Sequence, residues 1–422
     1  MKQNTTLEPA WVEFEHQVAF ILQEQEEYGW HFNERAAWEL ASTLRNELEE
    51  TQGVLRNRHP FVFGSEFTPK RNNKTQGYVE GCPFTKLKDF SPTSRDHIAW
   101  ILTTHYSWKP ELLTATGKPI IDETTLSKID NDFARGCLRI LDLTKKLGML
   151  AEGQNAWLKL VTSAERIHHH CSISTSTHRA AHRNPNLAQV PSDLAYRALF
   201  RASEGMRMVG ADLSGIELRM LGSYLSKYDG GAYVDILLND DIHQVNADKI
   251  GISRRLVKTV TYAFLYGAGD EKIGKSYDQS LPTNKAKSKG KEIRSAYVEA
   301  IDGLDTLLLN VRKAADRGYI KAIDGRRIPV DSPHKALNYL LQSSAACVAK
   351  RWLVIAHPLC KDLLARQLAF VHDELQYECP PQNTEQVKFA LEIAAVQAGE
   401  YYNLRCPIAA EGKIGINWAE VH

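Results

Sequence analysis

Long hydrophobic runs are absent from this 422-residue sequence. No stretch approaches the about 18 consecutive apolar residues that a membrane-spanning helix needs. The N-terminal segment MKQNTTLEPAWVEF has no apolar core behind a basic region, which excludes a recognisable secretory signal. Hydrophobic residues make up 43% and charged residues 24% of the chain, as in an ordinary globular protein. We therefore expect a cytoplasmic protein that does not use a membrane.

Cysteine is scarce, and neither sign of charge dominates. The chain has 7 cysteines and no CxxC pair, which favours a reducing compartment over a disulfide scaffold. Its 52 basic and 51 acidic residues give a net charge of +1, so overall charge neither indicates nor excludes a nucleic-acid partner. Basic residues cluster between Arg56 and Lys74 and between Lys285 and Lys291. Each cluster fits a solvated loop as well as a nucleic-acid contact.

The run His168 to Cys171, HHHC, resembles a metal-binding box at first sight. Adjacent side chains of a strand point to opposite faces, so four consecutive residues cannot close a tetrahedral zinc shell. We therefore expect no zinc site from this run.

Helical periodicity dominates the first third of the chain. Apolar residues recur three or four positions apart over residues 8–52, and helical patterns resume up to about residue 163. Between them, residues 53–92 are polar and punctuated by proline and glycine, which predicts a long loop or small excursion. This part of the chain is interpreted as a helical arm.

Two acidic residues lie at the ends of predicted strands. Met206 to Ala211 fit a buried strand, Ile216 begins a helical pattern, and Asp212 lies where the two meet. The run FVHDELQY places Asp373 at a tight turn between strands. Because buried carboxylates need a cation or strong donors, convergence of the two would suit Mg²⁺, which binds carboxylate, water and phosphate oxygens. The alternative is that Asp373 merely ends a hairpin and Asp212 merely begins a helix.

A helical region follows over about 230–318, and then Asp324-Gly325 predicts a turn between β-prone flanks. Within this region, RRLVKTVTYAFLYGAG places four residues at successive i+4 positions. They share one stripe of a helix, where two cations could hold a triphosphate and two rings could stack on bases; these residues are Arg254, Lys258, Tyr262 and Tyr266. The alternative is an exposed helix face with basic residues.

Taken together, these motifs resemble the polymerase motifs of family A DNA polymerases, with the closest likeness to the branch carried by short-tailed bacteriophages. The three central segments are DLSGIELR from Asp212, the helix from Arg254 and HDE from His372. Further matching segments are THRAAHRNPNLAQVP, DIH, LYGAGDEKIG, DGRR, SPHKALNYLLQS and EGKIGINW. The likeness covers essentially the whole chain.

The resemblance implies an α+β, right-hand polymerase fold with an α-helical thumb, an antiparallel-sheet palm and α-helical fingers. Residues 1–163 would form the thumb or arm, residues 164–222 and 319–422 the palm, and residues 223–318 the fingers inserted between its two parts. The implied reaction is DNA-directed DNA synthesis, in which a primer 3′-hydroxyl attacks a dNTP with two Mg²⁺ ions as cofactors.

The resemblance also assigns the site residues. Asp212 and Asp373 would bind the metal ions, with the backbone carbonyl of Leu213 as a further ligand and Glu374 beside them as a catalytic residue. The residues expected to bind the dNTP are His243, Arg254, Lys258, Tyr262 and Glu217. The residues expected to contact primer and template are Arg179, Gln342, Asn338, His372 and Tyr266.

Two positions in these motifs need separate comment: Glu217 has two possible roles, and His178 departs from the family pattern. Glu217 would crowd the 2′ position of the sugar and exclude ribonucleotides, but Ser214 to Glu217 is also a capping box, S-x-x-E. At Thr177-His178-Arg179, the chain has histidine where the family usually has glycine.

The resemblance also predicts which domains the chain lacks and which partners it has. The likeness begins by about residue 10, so we expect no proofreading exonuclease in the chain, and IIDETTL lacks the other acids of such a site. The thioredoxin-binding insertion of the phage branch would fall near residues 53–80, where this chain is shorter, so thioredoxin is not an expected partner. Primer-template DNA and dNTPs are expected, with a separate exonuclease, a helicase-primase or a single-strand-binding protein as candidates.

Two rival functions share parts of this sequence pattern. A single-subunit RNA polymerase shares the architecture, but Glu217, Tyr262 and Glu374 argue against it. A degenerate polymerase that only clamps DNA would not need both metal acids and both phosphate cations.

Overall fold

A computed structural model describes residues 10–173 and 175–422 of the chain. These residues form two compact units. The small unit is Glu34–Leu160, and the large unit combines the residues up to Asn33 with Val161–His422.

Helices make up most of both units. In chain order they are α1 Ala10–Tyr28, α2 Glu34–Arg58, α3 Arg95–His105, α4 Glu123–Leu126, α5 Asp132–Leu147, α6 Trp157–Leu160, α7 Leu194–Arg197, α8 Ile216–Leu225, α9 Ala232–Asn239, α10 Ile242–Ile250, α11 Arg254–Leu265, α12 Asp270–Tyr277, α13 Thr283–Ala300, α14 Leu304–Ala315, α15 Ala336–Asp362, α16 Thr384–Tyr401 and α17 Trp418–Val421. None of the helices in the described ranges is long and apolar enough to span a membrane.

The strands are short, and most of them form two-stranded pairs. In chain order they are β1 Trp30–His31, β2 Phe61–Phe67, β3 Phe84–Asp89, β4 Arg166–Ile167, β5 His170–Ser172, β6 Ala181–Arg183, β7 Arg207–Leu213, β8 Tyr319–Lys321, β9 Arg327–Pro329, β10 Arg366–Val371, β11 Glu374–Cys379 and β12 Ala410–Gly415.

One four-stranded antiparallel sheet organises the large unit, in the order β10-β11-β7-β12. Helix α16 packs against β7 and β12, while α15 contacts β10. Helix α16 covers the face toward which Gly412 would point a side chain. A Cβ atom added to Gly412 would lie 2.6 Å from Cγ of Lys388, a residue of α16. On the other face, a Cβ at Gly210 would lie 2.6 Å from the carbonyl oxygen of Val421, so α17 lies directly against β7.

Strand β11 carries a buried polar row on the α17 side of the sheet. Glu374, Gln376 and Glu378 alternate with apolar residues, and all three are buried. Glu378 accepts hydrogen bonds from the backbone N–H of Ser203 at 2.7 Å and from its hydroxyl at 2.8 Å, and also from the phenol of Tyr28 in α1. These donors compensate a charge that would otherwise be costly to bury. The polar row therefore ties α1 to the central sheet.

In chain order, helices α9 to α14 lie between β7 and the later strands β8 to β12, as the sequence predicts for residues 230–318. The predicted buried strand and the helix beginning at Ile216 are likewise confirmed as β7 and α8. Asp324-Gly325 lies between β8 and β9, and Gly325 has the positive φ of 84° that the turn requires. The division into thumb, palm and fingers by residue number remains a prediction.

One segment of the small unit is more regular than a loop. Residues 53–92 were expected to form a long loop or small excursion, and in the structure α2 continues to Arg58 while β2 and β3 pair as an antiparallel hairpin. Phe67, Tyr78 and Phe84 pack edge to face, with ring centroids 4.7 to 5.9 Å apart. This cross-strand aromatic cluster compensates for the many polar residues, since aromatic pairs stabilise antiparallel strands. Its members are too far apart in sequence for a local pattern to reveal it.

Candidate active site

Asp212 and Asp373 meet at one end of the central sheet. Asp212 is near the end of β7, and Asp373 lies in the two-residue loop between β10 and β11. The backbone N–H of Leu213 donates to the carbonyl oxygen of Asp373 at 2.9 Å, which fixes the loop against β7. His372, the first loop residue, takes a φ of +59°, as a tight hairpin loop requires at that position.

Both acids are held in an environment that disfavours their negative charge. Partial desolvation of the Asp212 carboxyl, together with the charges of Asp373, Glu374 and Glu217, raises its pKa to about 7. The residue nevertheless remains accessible to solvent. Desolvation and the Glu217 charge raise the pKa of Asp373 to about 6. Converging carboxylates with raised pKa values are the donor set that a hard divalent cation neutralises.

Glu374 lies directly opposite Asp212 in the β11–β7 register. One of its carboxylate oxygens accepts a hydrogen bond from Trp418 Nε1 at 2.6 Å and another from the Gln376 amide. The other oxygen lies 3.0 Å from His422 Nδ1. Burial raises the pKa of Glu374, while the bonds from Trp418 and Gln376 lower it. The contacts of Glu374 therefore fix it within the protein, beside Asp212 and Asp373.

Glu217 stands at the centre of a second group of side chains. Its Oε1 accepts hydrogen bonds from Arg179 Nη2 at 2.8 Å and from the Tyr266 hydroxyl at 2.9 Å. The capping-box interpretation is wrong, because α8 begins after Gly215, which has a left-handed φ of 55°, and no side chain caps the helix. Glu217 instead joins the Arg179 loop to the end of α11.

Helices α10 and α11 form a platform of cationic and aromatic side chains. Val257, Val260 and Phe264 bury one face of α11, which leaves Arg254 and Lys258 exposed and Tyr262 half-buried on the other. This arrangement confirms the predicted stripe, except that Tyr266 lies just after the helix as its C-cap.

The platform is completed from α10. The His243 ring centroid lies 6.1 Å from that of Tyr262. Asp241 caps α10 and also accepts a hydrogen bond from Arg254 Nε at 2.6 Å. Desolvation, and secondarily the Glu217 charge, raises the pKa of Tyr262. The stripe thus runs from the Arg254–Asp241 ion pair at one end toward Glu217 at the other.

The loop that carries Arg179 is shaped by an unusual backbone conformation. His178 has a φ of +62°, in the left-handed region that favours glycine. Its N–H donates to the Thr175 carbonyl at 3.0 Å, and the Thr175 hydroxyl donates to the carbonyl of Arg179 at 2.7 Å. These bonds hold the turn, so histidine adopts the conformation expected of the usual glycine.

Asn338 and Gln342 lie one turn apart on α15 but differ in their surroundings. Asn338 is buried, and its Nδ2 donates to the carbonyl oxygen of Leu265 at 2.5 Å, which fixes the end of α11. Gln342 is half-buried. His372 is also half-buried, and desolvation, together with the Arg179 charge, lowers its pKa.

The sequence did not reveal the residues that hold Glu374 in place beside Asp212 and Asp373. Trp418, Gln376 and His422 all contact Glu374. The alternation of polar residues in ELQYEC was the available signal for Gln376, because a strand with both faces buried must place polar residues against partners. Nothing local indicates that α17 returns to this strand.

The chain is similar to several known DNA polymerases. The family model described as DNA polymerase family A matches residues 70–420. The DNA-directed DNA polymerases of Enterobacteria phage T3 and Escherichia phage T7 are each 30% identical to the chain, over 97% of it and 70% of the phage protein. DNA polymerase I of Pseudomonas aeruginosa is 25% identical, over 73% of this chain and 36% of that enzyme.

The fold has a solved counterpart. The POL domain of Pol1 from M. smegmatis, in a complex with DNA primer-template and dNTP, matches with a TM-score of 0.77 and 21% identity, over 96% of this chain and 70% of that chain. This match confirms the predicted α+β right-hand polymerase fold. The chain therefore belongs to DNA polymerase family A and is a DNA-directed DNA polymerase, a nucleotidyltransferase.

Proposed function

We propose that the chain extends a primer 3′-hydroxyl along a DNA template with dNTPs, using two Mg²⁺ ions. The observation that carries the proposal is the meeting of Asp212 and Asp373 beside Leu213, which is supported by the raised pKa values of both acids. Asp212, Asp373 and the Leu213 carbonyl would hold the ions. When bound, such ions lower the pKa of an attacking hydroxyl and neutralise charge on the transferred phosphate.

The dNTP triphosphate would lie along the α10–α11 platform. Arg254 and Lys258 are exposed one turn apart, so their cationic groups can reach oxygens of successive phosphates. His243 adds a ring nitrogen, Nδ1, that is buried and has no partner among the described residues. The Arg254 bond to Asp241 would have to yield to the stronger charge of a phosphate.

The sugar and base would lie between Tyr262 and Glu217. The Tyr262 ring can stack on the base. Glu217 would occupy the volume in which a ribose 2′-hydroxyl would lie, and its bonds to Arg179 and Tyr266 keep its carboxylate in place. We assign selection of deoxyribose over ribose to this glutamate.

Primer and template would be contacted by the residues around this pocket. Arg179 and Gln342 would test the minor-groove edge of the new base pair, where all correct pairs present acceptors in common places. His372 would lie against the primer end, and Tyr266 near the template base. Asn338 would act by fixing the end of α11, and Glu374 by anchoring β11 directly after the loop that carries Asp373.

Primer extension tests the proposal directly. We expect the purified chain to extend a labelled primer with dNTPs only when a divalent cation is present. Replacement of dNTPs with rNTPs should nearly abolish extension, and efficient rNTP use would instead favour an RNA polymerase. Binding of primer-template without extension under any metal would support a non-catalytic clamp.

The remaining parts of the proposal concern the cellular setting. The likeness to phage T3 and T7 enzymes supports a role in phage DNA replication, within the cytoplasm of a host cell. We also propose that these 422 residues contain no 3′-5′ exonuclease site. Metal-dependent degradation of labelled single-stranded DNA that persists in Asp373→Asn would contradict this last point. A separate exonuclease, helicase-primase or single-strand-binding protein would supply the missing replication functions.

A further inference from the structure

A buried cluster of sulfur and nitrogen ligands lies outside the catalytic residues. His169, Cys171 and His182 are all buried, and one ligand atom from each lies within 4.8 Å of the others. The Cys171 Sγ is 3.2 Å from His182 Nδ1. In a tetrahedral zinc site with Zn–S and Zn–N distances of about 2.3 and 2.0 Å, the ligand atoms are about 3.3 to 3.6 Å apart. The Cys171–His182 pair is already near this spacing, and the other pairs, which lie within 4.8 Å, need to close by at most about 1.5 Å to reach it.

The pairing of β5 with β6 explains why these residues meet. Cys171 is directly opposite His182 in the antiparallel register. His169 lies two residues before Cys171, so it projects from the same side. His168 and His170 project the other way, where their Nδ1 atoms each lie 2.7 Å from an oxygen of Glu26. The four consecutive residues thus do not share one face, whereas alternate residues of the run and a residue of the partner strand form a different set.

A fourth donor is available from α1. The Gln25 side chain is buried, with its Nε2 3.0 Å from His169 Nε2 and 3.6 Å from Cys171 Sγ. Its Oε1 accepts a hydrogen bond from Gln367, whose own Oε1 accepts from Tyr377. If both amides turn over, Gln25 presents oxygen to the cluster and the chain of bonds is kept, since a phenol can accept as well as donate.

We propose that His169, Cys171 and His182 bind one Zn²⁺ ion, with the side-chain oxygen of Gln25 as the fourth ligand. A thiolate with two imidazoles is a donor set that suits zinc, and four protein ligands are typical of a structural site. Burial lowers the pKa of His169 to about 3 and that of His182 to about 4, so both imidazoles are neutral, which is the form that ligates a metal. Binding releases the Cys171 thiol proton to solvent.

The location gives this ion a structural role near the catalytic loop. The His182 ring lies edge-on to that of His372, with centroids 5.9 Å apart. A bound ion would therefore join α1 to the β5–β6 pair directly beneath the loop that carries Asp373. It would not contact substrate.

The test is metal binding in a background that cannot bind metal at the catalytic acids. In Asp212→Asn/Asp373→Asn protein, we expect one equivalent of Zn²⁺ to bind and to raise Tm by about 3 °C at a hundredfold excess over Kd. Co²⁺ should give a thiolate-to-metal charge-transfer band. Cys171→Ser and His182→Gln should each weaken Zn²⁺ binding by at least about tenfold.

Two controls separate this site from adventitious ligands. Cys82→Ser removes an exposed thiol, and His170→Gln removes a neighbouring histidine that projects toward Glu26; both should bind Zn²⁺ like the background protein. The proposal is overturned if the background protein shows no thiolate-to-metal charge-transfer band with Co²⁺. This measurement does not depend on whether any variant of the cluster folds. It is also overturned if Zn²⁺ binding is lost in Cys82→Ser or unchanged in Cys171→Ser.

Discussion

Arg179 Nη2 donates to Glu217 Oε1 at 2.8 Å, joining the loop after β5 to the first turn of α8. The same oxygen accepts the Tyr266 hydroxyl at 2.9 Å, so Glu217 has a fixed position beside the proposed sugar site. We expect Glu217→Ala to raise the rNTP to dNTP incorporation ratio, because removal of the carboxylate opens space for a 2′-hydroxyl. Single-nucleotide incorporation of CTP and dCTP measures the ratio. Glu299→Ala, an exposed position on α13, is the control, and an unchanged ratio in Glu217→Ala would show that this glutamate does not contact the sugar.

Asp212→Asn and Asp373→Asn should each slow primer extension by about a thousandfold, equivalent to roughly 4 kcal/mol of activation free energy. Each change removes one proposed metal ligand and keeps the size of the side chain. Primer-template affinity should remain close to that of the wild type, because neither acid attracts DNA. Asp235→Asn, an exposed substitution on α9, is the matched control. If either catalytic variant kept more than about a tenth of the wild-type rate, a barrier change of only about 1.4 kcal/mol, the two-ion assignment would be wrong.

The two acids should also make the metal-free protein sensitive to pH. Their pKa values in the folded protein, about 7 for Asp212 and about 6 for Asp373, lie above the value of about 3.9 for an unfolded chain. The folded state therefore binds their protons more tightly, and the free energy of unfolding falls as pH rises from about 4 to about 7. In EDTA at about pH 8, Asp212→Asn should raise Tm, whereas at about pH 4 it should not.

Added Mg²⁺ should reverse this effect. It should raise the wild-type Tm at about pH 8, where both carboxylates are ionised, and much less at about pH 5, where protons compete. Thermal unfolding of the Asp212→Asn/Asp373→Asn protein under the same conditions provides the comparison. An equal Mg²⁺ effect on that variant would place the ion elsewhere.

Tyr262 tests the orientation of α11 toward the sugar. A dideoxynucleotide leaves a hydrogen-bonding gap in a closed site, and the phenol can fill it, since an unmet bond costs about 1 to 3 kcal/mol. We expect wild-type protein to use ddTTP within roughly tenfold of dTTP and Tyr262→Phe to discriminate by a further factor of about 10 to 100, following the same energy range. Single-turnover incorporation measures both. Tyr277→Phe on α12 is the control, and equal discrimination by Tyr262→Phe and wild type would contradict the assigned orientation.

His178 tests whether its backbone conformation is strained. A left-handed conformation costs a non-glycine residue about 1 to 2 kcal/mol, and substitution by glycine relieves this strain. Glycine offsets about 0.5 to 1 kcal/mol of the relief, because its unfolded state has more conformational freedom to lose. His178→Gly should therefore raise the free energy of unfolding by about 0.5 to 1 kcal/mol, measured in urea. Asn403→Gly, at a φ of +50°, should gain less because asparagine tolerates this region. A loss of stability in His178→Gly would mean that the ring contributes more through packing than the backbone loses.

Much of the local structure around the site follows from the sequence alone. The apolar run before Asp212, the helical spacing from Arg254 and the Asp324-Gly325 turn each depend on neighbouring residues, and all three form as expected. The order of these motifs also identifies the family, because their spacing along the chain is specific.

Long-range contacts were decided only by the tertiary structure. The capping-box pattern of Ser214 and Glu217 is locally sound, yet Glu217 bonds instead to Arg179 and Tyr266, which are distant in sequence. The β2–β3 hairpin likewise depends on aromatic contacts across a long polar segment.

The histidine run shows the same division most clearly. Alternation along a strand predicts that four adjacent residues do not form one ligand set, but only the β5–β6 register brings His182 opposite Cys171. Periodicity reports which side chains share a face of one element, because that depends on backbone geometry alone. Which elements face one another depends on burial and hydrogen bonding summed over the whole chain, so the partners of Glu374, Glu217 and Cys171 emerge only in the folded protein.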